Sequence, residues 1–239
     1  MGLVKHIPNT ITSMNLLCGV IGVIVALGGN LQLAFILMLA AAVADFFDGF
    51  AARLLGAYSE IGKELDSLAD DVSFGVLPSV MLYCVFGTEV PCLRFFPLLI
   101  AAFSALRLAK FNLDERQHSS FIGLPTPACA VVCGSLASIV GMSPDSFLAS
   151  WCQGPVFIPA LTVVMCWLLV CEVPMFAMKV ATGDKASKVQ NIERVVFLAV
   201  AAVSAVVTAV CGLSWCTVPL VTFAGYIAVN LAGALFCRP

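Results

Sequence analysis

The stretch ADFFDGFAARLLGAYSEIGKELDSLAD, from Ala44 to Asp70, sets four aspartates into a chain otherwise poor in charge. Asp45 and Asp48 are spaced i, i+3, and Asp66 and Asp70 are spaced i, i+4, so on helices each pair shares one face. Four carboxylates gathered in a low dielectric repel strongly unless cations neutralise them. Oxygen donors suit Mg²⁺, Mn²⁺ or Ca²⁺; copper and zinc prefer nitrogen and sulfur. Such a cluster serves either a metal-dependent enzyme or a divalent-cation transporter. Gly49, Ala52 and Gly62 sit between and beside the acids, where small residues let a bulky group or another helix approach the backbone. Arg53 is a phosphate ligand or a counter-ion to the acids.

The elements that must position these acids are membrane helices. The chain is 61% hydrophobic and 11% charged, against about 25% charged for a typical soluble domain. No Lys, Arg, Asp or Glu occurs between Ile7 and Ala44 or between Val195 and Cys237. Since a hydrocarbon core takes about 20 apolar residues per helix, each stretch holds two spans. Helical period and breakers predict eight spans, at 11–28, 31–55, 62–87, 94–112, 125–142, 156–178, 192–211 and 216–237, with wider loops at GTEVPC and MSPDSF. The expectation is an all-α polytopic protein forming one membrane domain over 1–239.

With the N-terminus inside, Lys5, Arg53, Lys63, Arg107, Lys110, Arg116, Lys179, Lys185, Lys188, Arg194 and Arg238 fall on one side and only Arg94 on the other. The positive-inside rule makes that side cytoplasmic, together with both termini and the acid cluster. No cleavable signal is expected, because the apolar stretch after Lys5 is too long for one. Nothing points to nucleic acid. Most of the eleven cysteines lie in apolar runs without metal-ligand spacing and read as packing or lipid-facing residues. Cys92 and Cys152, both placed outside, are the one candidate bridge.

Written as Asp45-x2-Asp48-Gly49-x2-Ala52-Arg53-x8-Gly62-x3-Asp66-x3-Asp70, the stretch matches the signature of the CDP-alcohol phosphatidyltransferase family. The resemblance implies a six-helix core that binds a CDP-linked lipid and transfers its phosphatidyl group to an alcohol, releasing CMP. It implies that Asp45, Asp48 and Asp66 ligate two divalent ions, Mg²⁺ or Mn²⁺, that Asp70 is both ligand and general base, and that Gly49, Ala52, Arg53 and Gly62 shape the CDP pocket. Ser67, between the paired acids, joins these CDP-lipid candidates. The segments IPNTITSMNLLCG, DSLADDVSFGVLPSV, ALRLAKFN, FIGLPTPA and EVPMFAMK resemble the integral-membrane phosphatidylserine synthases of bacteria and archaea. That subfamily adds two helices to the core, which divides this chain into 1–180 and an extra pair at 181–239. Glu172 and Asp71 depart from its pattern. The substrates implied are CDP-diacylglycerol and L-serine, in a homodimer at the cell (inner) membrane.

Serine is zwitterionic, so its carboxylate seeks a cation and its ammonium an acid or carbonyl. Arg107, Lys110 and Asn112 at the end of span four, and Lys179 at the end of span six, are candidates for that role. Asn9, Thr12 and Asn15 recur at intervals of three at the entrance to span one; Asn9 and Thr12 are assigned to the CDP-lipid and Asn15 to serine. Phe46, Phe47 and Phe50 either line an acyl groove or pack the core. His6 and His118 are the only histidines and no nucleophile–base pair is recognisable, which favours direct attack by the serine hydroxyl. Glycerol 3-phosphate or an inositol phosphate is the alternative acceptor, and a cation transporter the remote alternative.

Overall fold

A computed structural model of the chain describes residues 6–88, 90–113, 121–175 and 188–236. Helices α1 (Ile7–Leu27) and α2 (Leu31–Leu55) form an antiparallel hairpin through the Gly28–Gly29 turn, with Asn30 capping α2 by accepting from the Leu33 amide at 3.0 Å. Helix α2 stops at Gly56, whose φ of 58° is open to glycine at little cost. Ser59 then caps α3 (Glu60–Asp70), accepting from the Gly62 amide at 3.0 Å. A tight, capped loop thus sets the two acid-bearing helices side by side.

Helix α3 runs into α4 (Leu77–Val85) through a widened π turn at Asp71–Val76. The cause is local: Pro78 has no N–H, and its ring would collide with the Phe74 carbonyl in a regular helix. A short 3₁₀ turn at Leu93–Leu98 leads into α5 (Leu99–Leu113). Next come α6 (Thr126–Met142), α7 (Phe147–Gln153), α8 (Phe157–Val170), α9 (Lys188–Cys211) and α10 (Thr217–Phe236). Helix α6 is the axis, buried almost throughout and packed on α2, α4 and α10. Small residues permit this closeness; a Cβ on Gly134 would stand 2.7 Å from Met38 Cε.

Among the described residues five helical stretches are long and apolar enough to cross a bilayer: Ile7–Leu27, Leu31–Leu55, Glu60–Val85, Leu93–Leu113 and Thr217–Ala234. The α6–α7 pair, bent by 110°, is a sixth, and Phe157–Val170 and Val195–Cys211 are shorter apolar helices. The protein is therefore an integral membrane protein with the helix order its sequence predicts. Three details differ from expectation. MSPDSF is not all loop, since α7 begins at Phe147. Cys92 is exposed while Cys152 is buried on α7, and both are free thiols. The sixth span ends at Val170, not at 178.

That early end has a physical reason. Strand β1 (Phe121–Ile122) pairs antiparallel with β2 (Pro174–Met175), and the Gly123 amide donates to the Val173 carbonyl at 2.9 Å. The Leu124 amide donates to the Leu168 carbonyl at 2.8 Å, satisfying one of the acceptors left open at the end of α8. Gly123 has a φ of 75°, and a Cβ there would lie 2.9 Å from the Cys171 carbonyl oxygen. Gly123→Ala is expected to cost at least about 1–2 kcal/mol from the left-handed backbone alone, read as a lower thermal midpoint of the purified protein. An unchanged midpoint would show that the clamp does not hold α8.

Candidate active site

The acid pairs face each other where α2 ends and α3 begins. Asp48 is buried, Asp45 and Asp66 are half-buried, and one carboxylate oxygen from each lies within 4.8 Å of the others. Asp66 Oδ1 is buried without a hydrogen-bond partner. Three carboxylates this close, with an acceptor oxygen left open, are what a hard cation takes as ligands. The residues present fit a divalent metal.

Helix α1 supplies the supports. It packs on both α2 and α3, and Thr12 and Asn15, one turn apart, reach one helix each. The Thr12 hydroxyl lies 2.6 Å from Asp48 Oδ2 and donates to it. Asn15 Nδ2 donates to Asp70 Oδ1 at 3.0 Å. Asp70 lies one turn beyond Asp66 and is not among the three clustered carboxylates. The Ser73 hydroxyl, in the widened turn, donates to the Asn15 carbonyl at 3.1 Å. Gly19 admits the approach of this segment, since a Cβ there would run into the Ser73 hydroxyl oxygen.

A cavity of about 550 Å³ opens beside the acids, lined by Asp48 and Asp66 together with the Ala57–Ser59 connector, Glu60 and Lys63. Asn9, Thr12, Gly49, Ala52 and Gly62, all singled out from sequence for the CDP-lipid, line it too. A Cβ on Gly49 would meet no atom within 4 Å, so the glycine leaves its backbone open to a ligand. Arg53 is exposed at the helix end, where its Nε donates to the Gly49 carbonyl at 2.9 Å. Tyr58, Ser59 and Lys63 are lining residues that sequence reasoning missed; they belong to the connector and the first turn of α3, which carry no face periodicity.

Ser67 lies beside this cavity rather than in its wall, accepting from Asn112 Nδ2 at 2.9 Å. Lys63 Nζ in turn donates to the Asn112 carbonyl at 3.0 Å. Asn112 thus ties α5 to α3. Lys110 stands exposed, whereas Arg107 is buried, with Nη1 donating to the Thr126 hydroxyl at 3.3 Å. Lys179 lies outside the described residues, as do Lys5, Arg116, Lys185, Arg238 and His118. Phe47 and Phe50 line a separate apolar groove of about 530 Å³ between α1 and α2, and Phe46 packs edge-on against Phe47.

Residues 5–174 match the family described as CDP-alcohol phosphatidyltransferase. The chain is 40% identical over 124 residues to a CDP-diacylglycerol–serine O-phosphatidyltransferase of Bacillus subtilis (strain 168), covering 52% of this chain and 70% of that protein. It is 35% identical over 178 residues to the protein of the same description from Mycobacterium leprae (strain TN), covering 71% of this chain and 57% of that one. An archaetidylserine synthase of Methanothermobacter thermautotrophicus is 33% identical over 135 residues, covering 54% of this chain and 56% of that one. The family match, over residues 5–174, takes in the aspartate stretch, the cavity lining and the α1 supports. This chain belongs to the CDP-alcohol phosphatidyltransferase family and is a transferase of the membrane.

Proposed function

We propose that the chain is a CDP-diacylglycerol–serine O-phosphatidyltransferase, making phosphatidylserine and CMP at the cytoplasmic face of the cell's inner membrane. The observation that carries this reading is the three-carboxylate cluster opening into the 550 Å³ cavity with Asp70 close behind it. The names of the bacterial and archaeal relatives support serine as the acceptor. The 11-to-1 division of basic residues supports the orientation. The family match ends at residue 174, which supports a core over 1–180 with 181–239 as an added helix pair within one membrane domain. A homodimer is part of the same proposal.

Asp45, Asp48 and Asp66 would hold the metal, Mg²⁺ or Mn²⁺ and two ions on this reading, with Asp70 completing the set. Bound there, the ions supply charge neutralisation for the pyrophosphate and the CMP leaving group. The protein's own groups do the rest. Gly49, Ala52 and Gly62 give the nucleotide's phosphates room against the backbone, and Thr12 fixes the Asp48 carboxylate. Asp70 takes the proton of the serine hydroxyl as its oxygen bonds to the lipid-side phosphorus. The bond from that phosphorus to the bridging oxygen breaks, CMP leaves with the electron pair, and the proton passes from Asp70 to solvent.

The test is CMP release by detergent-solubilised protein given CDP-diacylglycerol, Mn²⁺ or Mg²⁺, and one alcohol at a time. Release requiring both L-serine and metal is expected, and chelation should abolish it. Release with glycerol 3-phosphate or an inositol phosphate instead would replace serine as the acceptor and leave the aspartate chemistry in place.

A further inference from the structure

Helix α1 carries no Lys, Arg, Asp or Glu, yet it holds two of the four carboxylates. Thr12 is 3% exposed and Asn15 is fully buried. The single proton of the Thr12 hydroxyl has two acceptors in reach, Asp48 Oδ2 at 2.6 Å and the Pro8 carbonyl at 3.0 Å. The carboxylate oxygen is nearer and charged, and a bond to an ionised acceptor is about twice as strong as a neutral one, so the proton belongs to Asp48. Nearly one turn along, Asn15 Nδ2 spends itself on Asp70 Oδ1 at 3.0 Å. The Ser73 hydroxyl grips the Asn15 carbonyl in turn, which fixes α1 against the widened turn that follows Asp70.

Hard cations differ in what they ask of a carboxylate. Ca²⁺ takes six to eight oxygens at about 2.3–2.6 Å in a pliable shell and readily accepts both oxygens of one carboxylate. Mg²⁺ demands a near-ideal octahedron at about 2.0–2.1 Å, and the narrow bite of a single carboxylate cannot span its right angles. Mn²⁺ shares the octahedral, all-oxygen preference. A carboxylate with one oxygen pinned on a neutral donor must swing away from that donor before it can chelate. Asp48, pinned by Thr12, and Asp70, pinned by Asn15, are therefore set to present one oxygen each.

We infer that Thr12 and Asn15 are positioning residues for the choice of ion: by holding Asp48 and Asp70 to one oxygen apiece, α1 favours Mg²⁺ or Mn²⁺ and disfavours Ca²⁺. The inference rests on the metal reading of the acids proposed above. It reassigns two side chains that the sequence suggested for the substrates themselves, and it explains why an uncharged helix is wedged against both acid-bearing elements.

The test uses the full-length, detergent-solubilised protein with Mn²⁺ alone, followed by its electron paramagnetic resonance signal, and Ca²⁺ as competitor. The quantity read is the ratio of Ca²⁺ to Mn²⁺ that displaces half of the bound Mn²⁺. Thr12→Val keeps the volume and removes the hydroxyl; it should lower that ratio about 10-fold or more, the scale on which the outer partners of metal ligands act. Thr12→Ser should return it to the wild-type value. Ser13→Ala, which removes a hydroxyl that donates to the Asn9 carbonyl of its own helix at 2.8 Å, should leave it unchanged. Asn15→Leu should lower it too, and reads the same device at Asp70 whether or not Thr12→Val folds.

An unchanged ratio in either variant, or Mn²⁺ and Ca²⁺ affinities that fall together, would overturn ion selection by α1 while metal binding by the wild type stands. Wild-type protein that binds no Mn²⁺ would overturn the metal reading itself, and the inference with it.

Discussion

Asp70→Asn is expected to lower serine-dependent CMP release by about 10²–10⁴-fold, the usual contribution of a general base, while CDP-lipid binding stays measurable. The substitution is close to isosteric. The new side chain keeps an oxygen to accept the Asn15 amide that now donates at 3.0 Å, so the α1–α3 contact survives. What disappears is the lone pair basic enough to take a proton from serine. Asp45, Asp48 and Asp66 converge without Asp70, and the asparagine keeps a side-chain oxygen that a cation can still use, so the binding of the CDP-lipid should persist. Single-turnover CMP release alongside equilibrium binding of CDP-diacylglycerol separates the two quantities. Near-normal turnover would remove Asp70 as the base and direct attention to Asp71, its neighbour in the chain.

Asp66→Asn should fail differently. Its carboxylate is one of three whose oxygens converge within 4.8 Å, and its Oδ1 accepts no hydrogen bond from the protein. That open oxygen in the converging group fits a cation. Loss of a supporting partner of a metal ligand costs about 10–100-fold, and loss of a ligand should exceed that. Turnover is expected to collapse, the Mn²⁺ concentration for half-maximal rate to rise, and CDP-lipid binding to weaken in step. Folding should be spared or improved, because one of three mutually repelling charges is gone. A variant with wild-type metal dependence would exclude Asp66 from the site.

The parts of this site that were legible in sequence are those carried by helical spacing. The i, i+3 and i, i+4 acids predicted two facing pairs, and the structure brings Asp45, Asp48 and Asp66 together as that spacing requires. Asn9, Thr12 and Asn15 were legible as one face of α1. Which acid each would serve was not, because register between two helices depends on side-chain volume at positions such as Gly19 and Gly22. Tyr58, Ser59 and Lys63 escaped because a connector has no period to read. The end of α8 escaped for another reason: CEVPM is apolar enough to pass as helix, but Pro174 disfavours it and the pairing with Phe121–Ile122 turns it aside. Thr126 carried no signal at all, since its role is to hold a residue nineteen positions earlier.

The early stop of α8 also acts on the surrounding lipid. Its 14 residues rise about 21 Å, against a hydrocarbon thickness of about 30 Å. Such hydrophobic mismatch is relieved by local thinning of the leaflet, by tilt, or by drawing headgroups inward. The end left short is the one clamped by Gly123 and Leu124, on the same side as Arg107, Thr126 and the acids. On the proposed serine reading and orientation, a water-soluble amino acid approaching from the cytoplasm would meet a thinned bilayer there, and the helix that ends too soon would shorten its path through oil to Asp70.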